Sequence, residues 1–151
     1  MITVQSLWIG DSLSELEALC IRSFIFHGHP FHLYTYGNVD NIPQGTVVRD
    51  ASEIIPEDQI YRVRDSLAIF SDQFRWELLS RQGGCWVDMD MICLRPFEFE
   101  NEIVFGLQGE GQVATGVRPC SVSTISVARD QSVERPRNSC GNPGSGMAVP
   151  M

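Results

Sequence analysis

Gly83-Gly84-Cys85-Trp86-Val87-Asp88-Met89-Asp90-Met91-Ile92-Cys93-Leu94-Arg95-Pro96 is the stretch around which the chain is organised. A helical pattern ends at the two glycines, an apolar strand follows, and two aspartates fall inside it. Strand interiors disfavour aspartate, and a buried carboxylate is costly unless a cation or hydrogen bonds accompany it. Residues two apart in a strand point to the same side, so Asp88 and Asp90 are expected to project together. Two convergent carboxylates on a rigid element suit a hard divalent cation. An EF-hand is excluded, because the twelfth position counted from Asp88 is Phe99 and no glutamate closes the loop.

Outward from this stretch, composition narrows the function classes. A chain of 151 residues is expected to form one domain, with an apolar fraction ordinary for a globular protein. The net charge is -8, and every basic residue is an arginine. Such a chain lacks the electrostatic footprint for nucleic acid or anionic membrane, although a metal or a few arginines can still hold an anionic ligand. The five cysteines (Cys20, Cys85, Cys93, Cys120, Cys140) contain no C-x-x-C and read as buried thiols of a reducing compartment. No signal-peptide pattern opens the chain, and its apolar runs fall far short of the roughly 20 residues a membrane helix needs. The expected location is cytoplasmic, with the inner face of the membrane as a second possibility.

Taken in order, the residues predict alternating strands and helices. Val4 to Gly10 reads as a first strand. Ser12 with Glu15, or Ser14 with Glu17, offers a capping box for a helix whose buried stripe is Leu13, Leu16, Cys20 and Phe24. Gly28 stops it. Phe31 to Tyr36 and Thr46 to Arg49 predict two more strands, and Pro56-Glu57-Asp58 the first turn of a short helix. A long helix over 66–82 carries Leu67, Phe70, Phe74, Leu78 and Leu79 as its core stripe. After the aspartate strand, Glu102 to Leu107 predicts another. This order implies an α/β sandwich with a mainly parallel sheet. Past residue 117 the character changes: residues 1–117 carry a net charge of -10 and residues 118–151 a net of +2, and the tail is rich in Ser, Pro and Gly. It offers little to bury, so 118–151 is expected to be irregular or disordered beside a folded unit over 1–117.

Further side chains carry candidate chemistry. Asp72 and Arg75 lie three apart on the second helix, so they can pair there, or meet sugar hydroxyls and a phosphate in the cleft beside the aspartate strand. Trp8, near the carboxyl end of the first strand, is either a core residue or an aromatic face for a base at the ligand-binding edge of an α/β sheet. His27, His29 and His32 have no carboxylate or cysteine at ligand spacing and do not make a metal site. Gly109-Glu110-Gly111-Gln112-Val113-Ala114 matches G-x-G-x-x-A, but no helical pattern succeeds it.

Together, SLWIG, FSDQFRWELLSRQGGCWVDMDMICLRPF and EIVFGLQGEGQVATGV resemble the DXD-containing sugar glycosyltransferases. These are GT-A fold (Rossmann-like) enzymes related to capsular-polysaccharide and α-1,4-galactosyl or mannosyl transferases, and the large clostridial glucosylating toxins share the core. The S-D-x-x-R…G-G-x-x-x-D-x-D combination carries the resemblance, which covers about residues 2–117. It implies a nucleotide-sugar-binding half-domain and retaining transfer of a sugar from a UDP- or GDP-linked donor to a saccharide or lipid-linked acceptor, assisted by Mn2+ or Mg2+. By resemblance, Asp90 is the direct metal ligand and Asp88 its partner toward the donor or metal-bound water. Asp72 and Arg75 become donor contacts, and Trp8 the base-stacking aromatic. No catalytic nucleophile or base is assigned.

Members of this family usually continue further, with a second half that supplies the acceptor site. The resemblance stops near Val117, so a truncated or frameshifted product with weak donor binding and poor transfer is expected. Two rivals remain. A phosphatase with an aspartyl nucleophile also sets D-x-D at a strand end, but usually begins with it and uses a later basic residue. A non-catalytic remnant or nucleotide-sugar-binding module is the other.

Overall fold

The computed structural model describes residues 2–99, 104, 107–109 and 112–113. Its main sheet has four strands, β1 (Val4–Trp8), β2 (Phe31–Thr35), β3 (Val47–Asp50) and β4 (Cys85–Trp86), ordered β3-β2-β1-β4. All three pairings are parallel, as the strand–helix alternation predicts. Helix α1 (Glu15–Phe26) joins β1 to β2, and α2 (Ala68–Gln82) leads into β4. Strands β5 (Leu107–Gly109) and β6 (Gln112–Val113) form a separate antiparallel pair.

Side-chain alternation sorts the strands between two cores. Val4, Phe31, Leu33, Cys85 and Val87 pack with Cys20, Ile21 and Phe24 of α1. Leu7, Tyr34 and Trp86 pack with Phe70, Phe74, Leu78 and Leu79 of α2. Each sheet face therefore carries one helix, which is how a parallel sheet stays dry on both sides.

The helix ends follow local chemistry. Ser14 and Glu17 form the capping box of α1, with the Ser14 backbone N–H donating to Glu17 Oε2 at 2.8 Å. The Ser12–Glu15 alternative is not the cap, since the helix starts at Glu15 with Ser14 before it. Leu13, Cys20 and Phe24 are buried as expected, whereas Leu16 is half exposed. At about 100° per residue Leu16 lies some 140° round the helix from Ile21, the centre of the buried face. Helix α2 starts at Ala68 instead of Ser66, whose Oγ accepts the Ala68 N–H at 3.1 Å. Its predicted stripe is buried except for the half-buried Leu67. Pro56 precedes a single 3-10 turn, Glu57–Gln59.

Two consecutive glycines then turn the chain into β4. Gly83 (φ +66°) and Gly84 (φ +91°) adopt backbone that other residues enter only with strain. A Cβ on Gly84 would stand 2.5 Å from Gln5 Nε2, which donates to the Gly83 carbonyl at 2.7 Å. This close approach seats β4 against β1.

The strand expectations need correction here. β1 ends at Trp8, not Gly10, and β4 ends at Trp86, so Asp88 and Asp90 do not lie inside a strand. They sit in the turn that follows, closed by Met91 N–H donating to the Asp88 carbonyl at 3.2 Å. Two exposed carboxylates are better solvated in a turn than in a ladder between apolar layers. Most of the predicted strand from Glu102 to Leu107, the boundary at residue 117 and the 118–151 tail lie outside the described residues.

Candidate functional site

The chain leaves β1 toward α1 and β2 on one side and returns to β4 on the other. The strand order thus reverses between β1 and β4, and in open α/β sheets ligands bind outside the strand carboxyl ends at such a point. Val4 pairs with Cys85 and Gln5 with Trp86, and Val87 N–H adds a bond to the Gln5 carbonyl at 3.0 Å. The aspartate turn therefore leaves the sheet next to the end of β1, where Trp8 sits.

Within that turn the two aspartates differ. Asp88 is held from both layers. Trp86 Nε1 donates to its Oδ1 at 3.0 Å, and Cys20 Sγ of α1 reaches its backbone carbonyl at 3.7 Å. The Trp86 ring in turn rests against Phe74 of α2, with centroids 6.4 Å apart. Met89 and Met91, on either side of Asp90, pack against the α1-side core. Asp90 itself is exposed, and no described residue makes a hydrogen bond or ion pair to its carboxylate. The turn thus presents one tethered and one open carboxylate. Burial, with the Asp90 and Asp88 charges adding to it, pushes the Cys20 thiol up to about 12, so it stays a neutral S–H donor.

Arg75 is 8% exposed and donates through Nη2 to Asp72 Oδ1 at 2.7 Å. The ion pair that the three-residue spacing allows is formed, but only one of its partners is exposed. Asp72 keeps a side chain 55% exposed, while Arg75 is buried and its Nε has no partner among the described residues. Arg75 follows Phe74, the residue that backs Trp86. The structure thus sets Asp72 and Arg75 on the helix that packs against Trp86, and no hydrogen bond or ion pair among the described residues joins them to Asp88 or Asp90. Trp8 is half-buried against the α1-side core, and its Nε1 is buried and unpartnered among the described residues. Gly10 closes over that nitrogen, 3.2 Å from where its Cβ would be.

Three supporting residues escaped the sequence reading. Trp86 was legible only as an apolar strand residue, though its W-x-D spacing puts the indole and Asp88 on one side of an extended chain. Ser23 carries no motif that singles it out in the sequence, yet its Oγ accepts the Cys93 N–H at 2.9 Å. His29 is buried: its Nδ1 lies 3.1 Å from the Ile2 carbonyl, and its Nε2 accepts the Phe97 N–H at 2.9 Å. Both ring nitrogens of His29 thus serve backbone groups.

Among the described residues no three His, Cys, Asp or Glu side chains converge. Asp90 and Asp88 alone suit a hard cation that completes its shell from water and a phosphorylated ligand, the usual habit of Mg2+. Three buried free thiols, Cys20, Cys85 and Cys93, match the expectation for those cysteines. No helix among the described residues is long and apolar enough to cross a membrane.

No curated protein and no solved structure matches the chain. The family model for the glycosyltransferase sugar-binding region containing a DXD motif matches residues 20–106, more than half of the chain. The matched span includes Asp72, Arg75, Asp88 and Asp90, and begins after Trp8. With a parallel α/β scaffold and a D-x-D turn at its strand-order reversal, the chain belongs to the glycosyltransferase family whose sugar-binding region contains a DXD motif.

Proposed function

We propose that the chain binds a nucleotide-diphosphate sugar, UDP- or GDP-linked, in a Mn2+- or Mg2+-dependent manner and serves hexosyl transfer to a saccharide or lipid-linked acceptor. The observation that carries this reading is the asymmetric aspartate pair beside β1 at the strand-order reversal. Asp90, open to solvent, would hold the cation directly. Asp88, with one oxygen engaged by Trp86, would orient the donor ribose, the sugar or a cation-bound water. When bound, the cation neutralises charge on the departing diphosphate as a Lewis acid. Arg75 and Asp72 supply a phosphate and hydroxyl contact from α2, and Trp8 an aromatic surface for the base. Retention at the sugar carbon and kinship to capsular-polysaccharide and α-1,4-hexosyl transferases follow from the family resemblance, and a cytoplasmic setting is read from cysteines that suit a reducing compartment.

Calorimetry with Mn2+ and UDP- or GDP-sugars tests it. The expected result is cation-dependent binding that Asp90→Ala abolishes. Binding unaffected by Asp90→Ala, or no binding with any donor, overturns the reading. Binding without sugar release or transfer would identify a donor-binding module instead of a complete transferase.

A further inference from the structure

We propose that Ser23 of α1 is a positioning residue for the aspartate turn, an inference that rests on the donor-binding reading above. The Asp90 carboxylate has no partner among the described residues, so its placement is inherited from the backbone on either side. On the entry side the chain is pinned by Val87 N–H to the Gln5 carbonyl, at 3.0 Å. On the exit side the anchor is Cys93 N–H donating to Ser23 Oγ at 2.9 Å, a bond between residues 70 apart in sequence.

The Ser23 hydroxyl is built for that acceptor role. Its O–H donates to the Cys20 carbonyl one turn back, at 2.7 Å, which fixes the rotamer and leaves oxygen lone pairs for the Cys93 amide. Serine is a poorer helix former than alanine, so helix formation alone does not call for it here. Cys93 is 5% exposed, and without Ser23 its N–H is a buried donor with no partner. The helix thus grips the turn at two points on one side: Cys20 Sγ at the Asp88 carbonyl, and Ser23 three residues on at Cys93. Beyond Cys93, the His29 ring takes the Phe97 N–H and continues the same seam. Asp90 lies midway between the two grips, held without being touched.

The test pairs two readouts on Ser23→Ala, Ser23→Thr and Asp90→Ala. Mn2+-dependent UDP-sugar or GDP-sugar affinity is read by calorimetry, and amide exchange of Met91 to Cys93 by NMR or mass spectrometry without any ligand. Ser23→Ala is expected to speed exchange at Met91 to Cys93 and to weaken Mn2+-dependent binding on the order of 10–100-fold, as supporting partners of metal ligands do. Ser23→Thr, which keeps the oxygen, is expected to restore both. Wild-type affinity in Ser23→Ala, while Asp90→Ala abolishes binding, overturns the positioning role and leaves the donor reading standing. If no donor binds even the wild type, the donor reading fails, and with it any role of Ser23 in positioning a ligand. The exchange data then decide only whether the tether exists, and unchanged exchange removes that as well. Should Ser23→Ala lose its helical circular dichroism, Ser23→Cys, close in volume with a weak sulfur acceptor, is read in its place for the same outcomes.

Discussion

Trp86 Nε1 donates a 3.0 Å hydrogen bond to Asp88 Oδ1, and Trp86 is 2% exposed against Phe74 of α2. The indole is therefore a strut. It transmits the position of α2 to one carboxylate of the D-x-D turn and leaves the other free. Since Asp88 is exposed, the bond contributes little to folding and much to orientation.

Trp86→Phe separates these roles, because phenylalanine keeps an aromatic ring against Phe74 and removes only the N–H and part of the volume. Stability should fall by about 1–2 kcal/mol from the lost bond and the small cavity. Cation-dependent donor binding should weaken several-fold, on the scale seen when supporting partners of metal ligands are removed, roughly 10-fold. Chemical denaturation and calorimetry on the same variant give both numbers. A variant that loses stability yet binds donor normally would reduce Trp86 to packing.

The sheet, both long helices and the capping box could be read from sequence because each is a local pattern: period-two strands, a three-to-four-residue apolar stripe, Ser14 with Glu17. The D-x-D residues were legible as a pair but not as a turn. The apolar run on both sides of them looks like one strand, and only the tertiary packing of Met89 and Met91 onto α1 shows where pairing stops. The burial of Arg75 was not legible for a similar reason, since spacing gives the Asp72 partner but not the depth. The contacts of Ser23 and His29 bridge residues about 70 apart, and no local pattern announces such pairs.

Gly84 sets the junction between α2 and the aspartate turn. Gly84→Ala would force a side chain into a left-handed backbone and against the Gln5 amide that holds the Gly83 carbonyl. Strain of about 1–3 kcal/mol is expected from the backbone alone. Because β4 pairs with β1 over only two residues, the loss should also free the turn. Urea unfolding should show the destabilisation, and hydrogen exchange should rise across 85–91 before it rises in β2. A neutral Gly84→Ala would show that β4 is seated by its side chains and not by this close approach.

Alkaline pH should weaken the fold through Cys20. Burial first, and then the nearby carboxylates, raise its thiol from the ordinary 9.0 to about 12. The unfolded chain therefore gives up this proton earlier than the folded one. The contribution is fully present below pH 9, and stability falls as pH climbs from about 9 toward 12. Tyr36, raised from 10.0 to about 12 mainly by burial, acts in the same direction over the upper part of that window. Urea midpoints at pH 8, 9.5 and 10.5 should decline in the wild type, and less steeply in Cys20→Ala. Equal slopes would mean that Cys20 titrates the same way folded and unfolded.

Arg75 offers the sharpest contrast between stability and ligand binding. Arg75 is 8% exposed, its Nε is unpartnered among the described residues, and its ion-pair partner Asp72 faces water. An unsatisfied buried donor costs about 1–3 kcal/mol, and the exposed half of the pair returns little because solvent screens it. A fold optimised only for stability would place a long apolar side chain here. Arg75→Met should accordingly leave stability unchanged or raise it by about 1 kcal/mol, as replacing buried ions with apolar groups often does. The same variant should lose nucleotide-sugar affinity by about tenfold or more, since a charge-assisted contact to a phosphate contributes roughly 1.5–3 kcal/mol. Denaturation and calorimetry run side by side distinguish the outcomes. Unfolding of Arg75→Met would make the arginine a structural member of the α2 core, whereas a stable variant with wild-type affinity would remove it from the donor site.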